Sequence, residues 1–112
     1  MRAALYCRVS TADQNPLNQE LELRRACERQ NWAVQDVYTD VISGAKSKRP
    51  ALDKLMKAVM RREVDVVCAW DVSRLGRSPQ HLVTLLNDIH AKEVDLYLHQ
   101  QGIDTTVPSG KA

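Results

Sequence analysis

The stretch that decides the fold is MRAALYCRVSTADQ, residues 1–14, in which an apolar run carries Arg8 and, two residues later, Ser10. Residues 2–9 predict a buried strand. Because successive side chains of a strand alternate between its two faces, Tyr6, Arg8 and Ser10 share one face if the strand persists that far. The tip of this strand therefore brings a guanidinium and a hydroxyl out together, which burial alone does not explain.

The rest of the chain alternates between helices and strands. Helices are predicted over residues 16–31, 50–63 and 78–92, and further strands over residues 33–39, 64–70 and 95–100. This order predicts an α/β fold with a mostly parallel sheet of about four strands and helices on both faces. The polar tail, residues 101–112, is predicted to be irregular. In such folds the functional groups collect at the carboxyl ends of the strands.

Length, charge and cysteine usage exclude several classes of protein. The 112 residues suit one domain, and 16 Lys and Arg against 14 Asp and Glu leave a net charge of only +2. A nucleic-acid interface must therefore depend on where the arginines lie. No apolar run is long enough to span a bilayer, and the N-terminus lacks a secretory signal pattern. The three widely spaced cysteines predict buried, free thiols in a reducing cytoplasm.

Positive side chains follow the predicted strands. The first strand ends at Arg8 and Ser10, the second leads into AKSKRP and the third into WDVSRLGRS. The latter two segments contain Lys46, Lys48, Arg49, Arg74 and Arg77. A serine hydroxyl needs activation to act as a nucleophile, and guanidinium groups match a phosphate and stabilise phosphoryl transition-state charge. No carboxylate pair, metal-ligand cluster or Gly-rich phosphate loop competes for this role, and no histidine has a partner at the spacing of a serine–histidine triad. The pattern therefore predicts attack by Ser10 on a phosphodiester or phosphate without a metal.

Three motifs in this order, YCRVST with Gln19, TDVISG with SKRPAL, and SRLGRS, resemble the catalytic domain of the serine recombinases, the resolvase and invertase family. The resemblance implies that Ser10 attacks double-stranded DNA and forms a 5′-phosphoserine link. It also implies a site in which the catalytic residues are Ser10, Arg8, Gln19, Arg49, Arg74 and Arg77, supported by Asp40 and Ser43. We assign Lys46 and Lys48 to general attraction of the DNA backbone. The family needs no metal and no nucleotide cofactor, and it works as a tetramer assembled from dimers.

Departures from the family pattern keep a second interpretation open. Ser73 stands where many relatives carry an aspartate, and Ala58 aligns with a helix lysine of some relatives. Family members also continue into a long dimerisation helix and a DNA-binding domain, so residues 1–112 are interpreted as a catalytic domain truncated before that helix and inactive alone. The alternative is a non-catalytic module of the same fold that binds phosphate or the DNA backbone, or serves assembly. The expected location is the cytoplasm, on the nucleoid, in a prokaryotic, phage or transposon setting.

Overall fold

The fold comes from a computed structural model that describes residues 1–10, 18–42, 50–70 and 79–106. Its elements, in chain order, are β1 (Arg2–Ser10), α1 (Asn18–Gln30), β2 (Ala33–Ile42), α2 (Pro50–Met60), β3 (Val66–Ala69), α3 (Pro79–Ala91), β4 (Asp95–Leu98) and β5 (Ile103–Asp104). The predicted α/β fold is confirmed. The prediction of an irregular tail is wrong at β5, because a turn at Gly102 (φ 64°) folds that segment back onto β4.

The sheet has the strand order β2-β1-β3-β4-β5, in which the first four strands are parallel and β5 is antiparallel to β4. Strand β1 lies between β2 and β3, so the chain leaves β1 towards one edge and later returns to its other side. The helices that follow β1 and β3, α1 and α3, therefore lie on opposite faces of the sheet. The carboxyl edge at this reversal is where open α/β sheets bind their ligands.

Each face of the sheet has its own hydrophobic core, as the alternation along β1 predicts. Ala3, Leu5 and Cys7 pack on the side of α1, in a cluster with Leu23, Cys27, Trp32, Val66 and Cys68. Ala4 and Tyr6 pack on the other side, in a cluster with residues of α2, α3, β3 and β4 that include Leu52, Leu55, Val59, Leu85 and Ile89. Burial of apolar side chains on both faces explains why the inner strands read as nearly continuous apolar runs.

A β-bulge interrupts the pairing of β1 with β2 near their beginnings. Ala3 pairs with Val34 and Ala4 with Asp36, so Gln35 is an extra residue in β2. The valines at positions 34 and 37 consequently both face the α1 cluster, although they lie three residues apart. After the bulge, Tyr38 packs on the α2 side.

All three helices end in the same backbone motif. One residue just after each helix has a positive φ angle. These residues are Asn31 after α1 (59°), Arg62 after α2 (55°) and Glu93 after α3 (58°). The amide of the next residue in each case bonds the carbonyl five positions earlier: Trp32 to Cys27 (2.9 Å), Glu63 to Ala58 (3.0 Å) and Val94 to Ile89 (3.1 Å). The second helix therefore ends at Met60 rather than at the predicted residue 63.

The cysteines agree with a further prediction. Cys7, Cys27 and Cys68 are free and buried. No helix of the described ranges is long and apolar enough to cross a membrane.

Candidate active site

The carboxyl end of β1 carries the first two predicted site residues. Strand β1 continues to Ser10, whose Cα pairs with that of Ile42. The prediction that Arg8 and Ser10 share a face required the strand to extend this far, and the backbone does so. Arg8 is partly buried, and its Cα pairs with that of Asp40 on β2. Because paired residues of parallel strands share a face, Arg8 and Asp40 both lie on the side of the sheet that carries α2.

Asp40 is a buried carboxylate that caps α2 from a neighbouring strand. Only 3% of Asp40 is exposed, and its two oxygens accept hydrogen bonds from the amides of Ala51 (2.9 Å) and Leu52 (3.1 Å) and from the hydroxyl of Tyr6 (2.8 Å). The first amides of a helix have no partner within it, and the helix dipole favours a negative charge beside them. Asp40 therefore fixes where α2 begins, and Pro50, the first residue of α2, directly follows Arg49 in the sequence.

Gln19 approaches the end of β1 from the opposite side of the sheet, where α1 packs. Its side chain is 7% exposed, and its Nε2 donates a hydrogen bond to the carbonyl oxygen of Arg8 at 3.2 Å. Its Oε1 is buried and has no hydrogen-bond partner among the described residues. A buried amide oxygen without a donor is unfavourable. Gln19 Oε1 is therefore an acceptor, close to the end of β1, whose hydrogen-bonding capacity the described residues do not use.

The structure thus brings Arg8, Gln19 and Asp40 together around the end of β1. The remaining predicted site residues lie outside the described ranges: Ser43, Lys46, Lys48, Arg49, Arg74 and Arg77, and the same holds for Ser73. The side chain of Ser10 is likewise outside the description. Ala58, which aligns with a lysine of some relatives, is buried in α2, whereas Lys54 and Lys57 are exposed.

Tyr6 is the polar residue of this region for which the sequence predicted no role. It is fully buried, on the face that it shares with Arg8, and it donates to Asp40 across 34 residues of sequence. The parity of Tyr6 and Arg8 along the strand is the only sequence signal for this proximity. The helix cap was missed because Asp40 lies ten residues before Pro50, whereas sequence patterns for caps cover only adjacent positions.

Other nucleophiles and bases of the described residues are engaged elsewhere. Burial raises the pKa of Cys7 to about 11, so its thiol is protonated at neutral pH and is a poor nucleophile. His99 lies on the α1 side, where its Nδ1 is 3.0 Å from the Tyr97 hydroxyl and its ring stacks on Trp70 with centroids 5.0 Å apart. No group of three or more His, Cys, Asp or Glu side chains in the described ranges could hold a metal ion.

Comparison with known proteins decides the family. Residues 3–112 match the family model described as "Resolvase, N terminal domain". The chain belongs to this family. The resolvase domain is 36% identical to the transposon Tn552 resolvase of Staphylococcus aureus over 98 residues, which cover 88% of this chain and 46% of the relative. It is also 36% identical to the DNA-invertase of Escherichia phage P1 over 107 residues, or 95% of this chain and 53% of that one.

A solved structure extends the likeness to the fold. The N-terminal catalytic domain of TP901-1 integrase is 31% identical and superposes with a TM-score of 0.84, covering 98% of this chain and 85% of that chain. The resolvase domain itself spans about half the length of the curated relatives it matches, 46% and 53% for the two named. The predicted membership in the resolvase and invertase family, and with it the catalytic-domain fold, is confirmed.

Proposed function

We propose that this resolvase domain is the catalytic domain of a site-specific DNA recombinase in which Ser10 is the nucleophile. The observation that carries the proposal is the placement of Arg8 and Ser10 at the carboxyl end of β1, beside the reversal of strand order, in a chain matched to the resolvase domain over residues 3–112. Ligands of parallel α/β sheets bind at such an edge.

In the proposed reaction the Ser10 hydroxyl oxygen attacks the phosphorus of a DNA phosphodiester. A serine–phosphorus bond forms at the 5′ side of the break while the bond from phosphorus to the 3′ oxygen breaks. The proton of the serine ends on that 3′ oxygen, which leaves as a free hydroxyl. A 3′ hydroxyl attacks the phosphoserine in the reverse step and releases Ser10. One phosphodiester replaces another, so neither ATP nor another energy source enters the balance.

The other site residues have proposed roles that follow from their charge. Arg8, Arg49, Arg74 and Arg77 neutralise the phosphate and the charge that develops on it. Gln19 is a polar residue of the same site, Asp40 and Ser43 support it, and Lys46 and Lys48 attract the DNA backbone. The proposed chemistry uses no metal and no cofactor, so adduct formation is expected to proceed in the presence of a chelator.

The proposed partners of the full-length protein are double-stranded DNA and further copies of itself, as dimers that assemble into a tetramer. Relatives named as a transposon resolvase and a phage DNA-invertase support this proposal. Free, buried cysteines are consistent with action in the reducing cytoplasm, where the nucleoid supplies the DNA.

The test uses the full-length protein that contains this domain and DNA from either side of its own gene. After a denaturing quench, we expect DNA whose mobility is retarded and then restored by protease. Ser10→Ala is expected to abolish this adduct while it leaves the fold and DNA binding intact. Thr84→Ala removes an exposed hydroxyl on α3 and is the matched control, with wild-type adduct expected.

Two results contradict the proposal. An adduct that persists in Ser10→Ala would assign the nucleophile to another residue. DNA binding by the wild-type protein that weakens with salt but never yields an adduct would favour the phosphate-binding module instead. In that case Ser73→Asp is the next variant, because Ser73 is the position that departs from the family's aspartate.

A further inference from the structure

We propose that His99 is a positioning residue for this reaction: it links the carboxyl end of β4 to α1, and the link is firmer when its imidazole is protonated. The inference rests on the proposed function, because His99 acts through Gln19 at the beginning of α1. It assigns a role to a residue that stands outside the motifs from which the family was recognised.

The backbone holds His99 at the edge of the sheet that carries Arg8. Directly after β4, the amide of His99 donates to the carbonyl of Ala69 at 3.0 Å. The amide of Gln100 donates to the carbonyl of Trp70 at 2.8 Å, so the pairing with β3 continues beyond the end of β4. Strands β1, β3 and β4 are parallel neighbours, so His99 lies at the carboxyl edge, two strand spacings or about 10 Å from β1.

The imidazole of His99 is contacted from three directions. Its Nδ1 lies 3.0 Å from the hydroxyl of Tyr97 on β4. Its ring stacks on Trp70, directly after β3, with centroids 5.0 Å apart and planes inclined by 31°. From α1, the Oε2 of Glu22 lies 4.0 Å from Nε2. Both ring nitrogens therefore face a polar group, and only 22% of the side chain is exposed.

The contact with Glu22 affects the proposed site through α1. Glu22 follows Gln19 by three residues, so the two side chains are neighbours on the helix surface, one turn apart. The residues that α1 buries against the sheet include Leu23 and Cys27, whose apolar contacts have no preferred direction. A link at Glu22 restrains rotation of α1 about its axis. Such a rotation would move Gln19 relative to the Arg8 carbonyl to which it donates.

Two of the three contacts depend on the charge of His99. A histidine changes charge between about pH 5 and pH 8. A protonated ring attracts the carboxylate of Glu22 and the indole face of Trp70, and a neutral ring loses both attractions. The bond with Tyr97 persists in either state, because a hydroxyl can donate to Nδ1 or accept from it. The link to α1 therefore strengthens as the pH falls from about 8 to about 6.

The surrounding groups keep their charge over this range. Among the described residues, the charged and titratable groups that face His99 or Tyr97 are Glu22, Arg25 and Arg29 of α1, Cys68 of β3, Tyr97 of β4 and Asp104 of β5. Arg25 donates to the other oxygen of Glu22 at 2.9 Å, which leaves Oε2 for His99. Burial raises the pKa of Tyr97, and a hydrogen bond with the neighbouring thiol together with burial raises the pKa of Cys68. His99 is thus the group of this cluster whose charge changes near neutrality.

The experiment measures single-turnover adduct formation by the full-length protein at saturating DNA, together with DNA affinity, from about pH 6 to about pH 8. Each rate is divided by the wild-type rate at the same pH, so the pH dependence of the chemistry itself cancels. For His99→Gln we expect a rate about 2- to 5-fold lower at the acid end, approaching the wild-type rate at the alkaline end, with unchanged affinity. His90→Gln, at an exposed position in the last turn of α3, is the matched control and should keep the wild-type rate throughout.

Glu22→Gln tests whether His99 acts through α1. This variant removes a carboxylate from a partly exposed position, so it should fold, and its rate should show the same dependence on pH as that of His99→Gln. Arg25→Gln removes the other contact of Glu22 and should not reproduce that dependence. In the Glu22→Gln background, His99→Gln should lower the rate in acid by a much smaller factor than in the wild type.

Three results would each overturn the inference while leaving the proposed function intact. They are a rate ratio for His99→Gln that does not change with pH, a wild-type rate in that variant at the acid end, and an equal factor in both backgrounds of the double-mutant cycle. A wild-type protein that binds its DNA and forms no adduct would overturn the proposed function, and the inference with it.

Discussion

The side-chain amide of Gln19 and the main-chain carbonyl of Arg8 are joined by a hydrogen bond of 3.2 Å across the interface between α1 and β1. Asp40 reaches the same part of the sheet from the other face. The end of β1 is thus held by buried polar groups on both sides as well as by apolar packing. Directional bonds of this kind fix the strand end more sharply than hydrophobic contact, which has no preferred direction.

Replacing Gln19 by methionine should separate stability from activity. The variant loses one neutral hydrogen bond, which contributes about 0.5–1.5 kcal/mol, but also removes a buried oxygen that has no partner among the described residues, which costs about 1–3 kcal/mol. We therefore expect the free energy of unfolding in urea to change by less than about 1 kcal/mol. Adduct formation is expected to fall. Gln19→Glu is the contrasting variant: it places a carboxylate against the Arg8 carbonyl and should destabilise the fold clearly.

The ion pair at the amino end of the sheet should make stability depend on pH. The side-chain and backbone hydrogen bonds from Arg2 lower the pKa of Asp65 below its ordinary value of about 3.9. Because the folded-state pKa is the lower one, the stabilisation is present above about pH 4 and is lost as the pH falls through the folded-state pKa. The difference in Tm between the wild type and Asp65→Asn should therefore be largest near neutrality and should decrease towards zero in acid.

The exposure of this pair supplies the control. The Arg2 and Asp65 side chains are 47% and 39% exposed, so high salt should narrow the difference in Tm. Glu28→Gln, at an exposed position of α1, should leave the pH profile unchanged. A difference in Tm between the wild type and Asp65→Asn that stays constant from neutrality into acid would show that Arg2 does not hold this carboxylate.

The helix ends offer a stabilising substitution. Glu93 has a φ of 58° and Gly102 a φ of 64°, a region of backbone that glycine adopts without steric cost. Glu93→Gly should raise the free energy of unfolding by about 0.5–1 kcal/mol, because glycine adopts this conformation without steric cost. The ion pair that the substitution removes, between Glu93 and Arg62, is exposed and contributes little. Gly102→Ala, where a Cβ would meet no atom within 4 Å, should lower it by a similar amount through the backbone alone. Equal Tm values for the wild type and both variants would refute this account.

The three thiols should be unreactive in the folded protein. Cys7, Cys27 and Cys68 are at most 2% exposed, and the Sγ atoms of Cys27 and Cys68 lie 3.9 Å apart in the α1 core. We expect an aromatic disulfide reagent to modify all three only after unfolding. Val83→Cys adds a thiol at a position that is 57% exposed and should react at once. Rapid reaction of a wild-type thiol under native conditions would show that the α1 core opens readily.

The sequence predicted the parts of this domain that depend on local periodicity. The alternation of side chains along β1 separated Leu5 from Tyr6 and so placed them in different cores. The family followed from motifs in a fixed order. The periodicity of strands and helices is repeated every few residues, so a short window of sequence contains it, and each family motif is likewise a short contiguous segment.

The features that the sequence did not predict depend on contacts between distant segments. The cap of α2 by Asp40 and its bond to Tyr6 join residues of different strands, and neither leaves a pattern within a local window. Strand β5 has only two residues and exists because β4 offers it an edge. The positive φ of Arg62 was missed because arginine has no preference for that conformation.

The bulge at Gln35 restricts how many residues can separate the beginning of β2 from Asp40. Gln35 shifts the phase of β2, so that even-numbered positions such as Asp40 face α2. Deletion or insertion of one residue between Gln35 and Asp40 would bring a neighbour of Asp40 to the cap and turn its carboxylate away. Strand β2 ends at Ile42 and α2 begins at Pro50, and the alternation of side chains applies only within the strand. Variation in length among functional homologues should therefore be confined to the segment after β2, while the distance from the bulge to Asp40 stays constant.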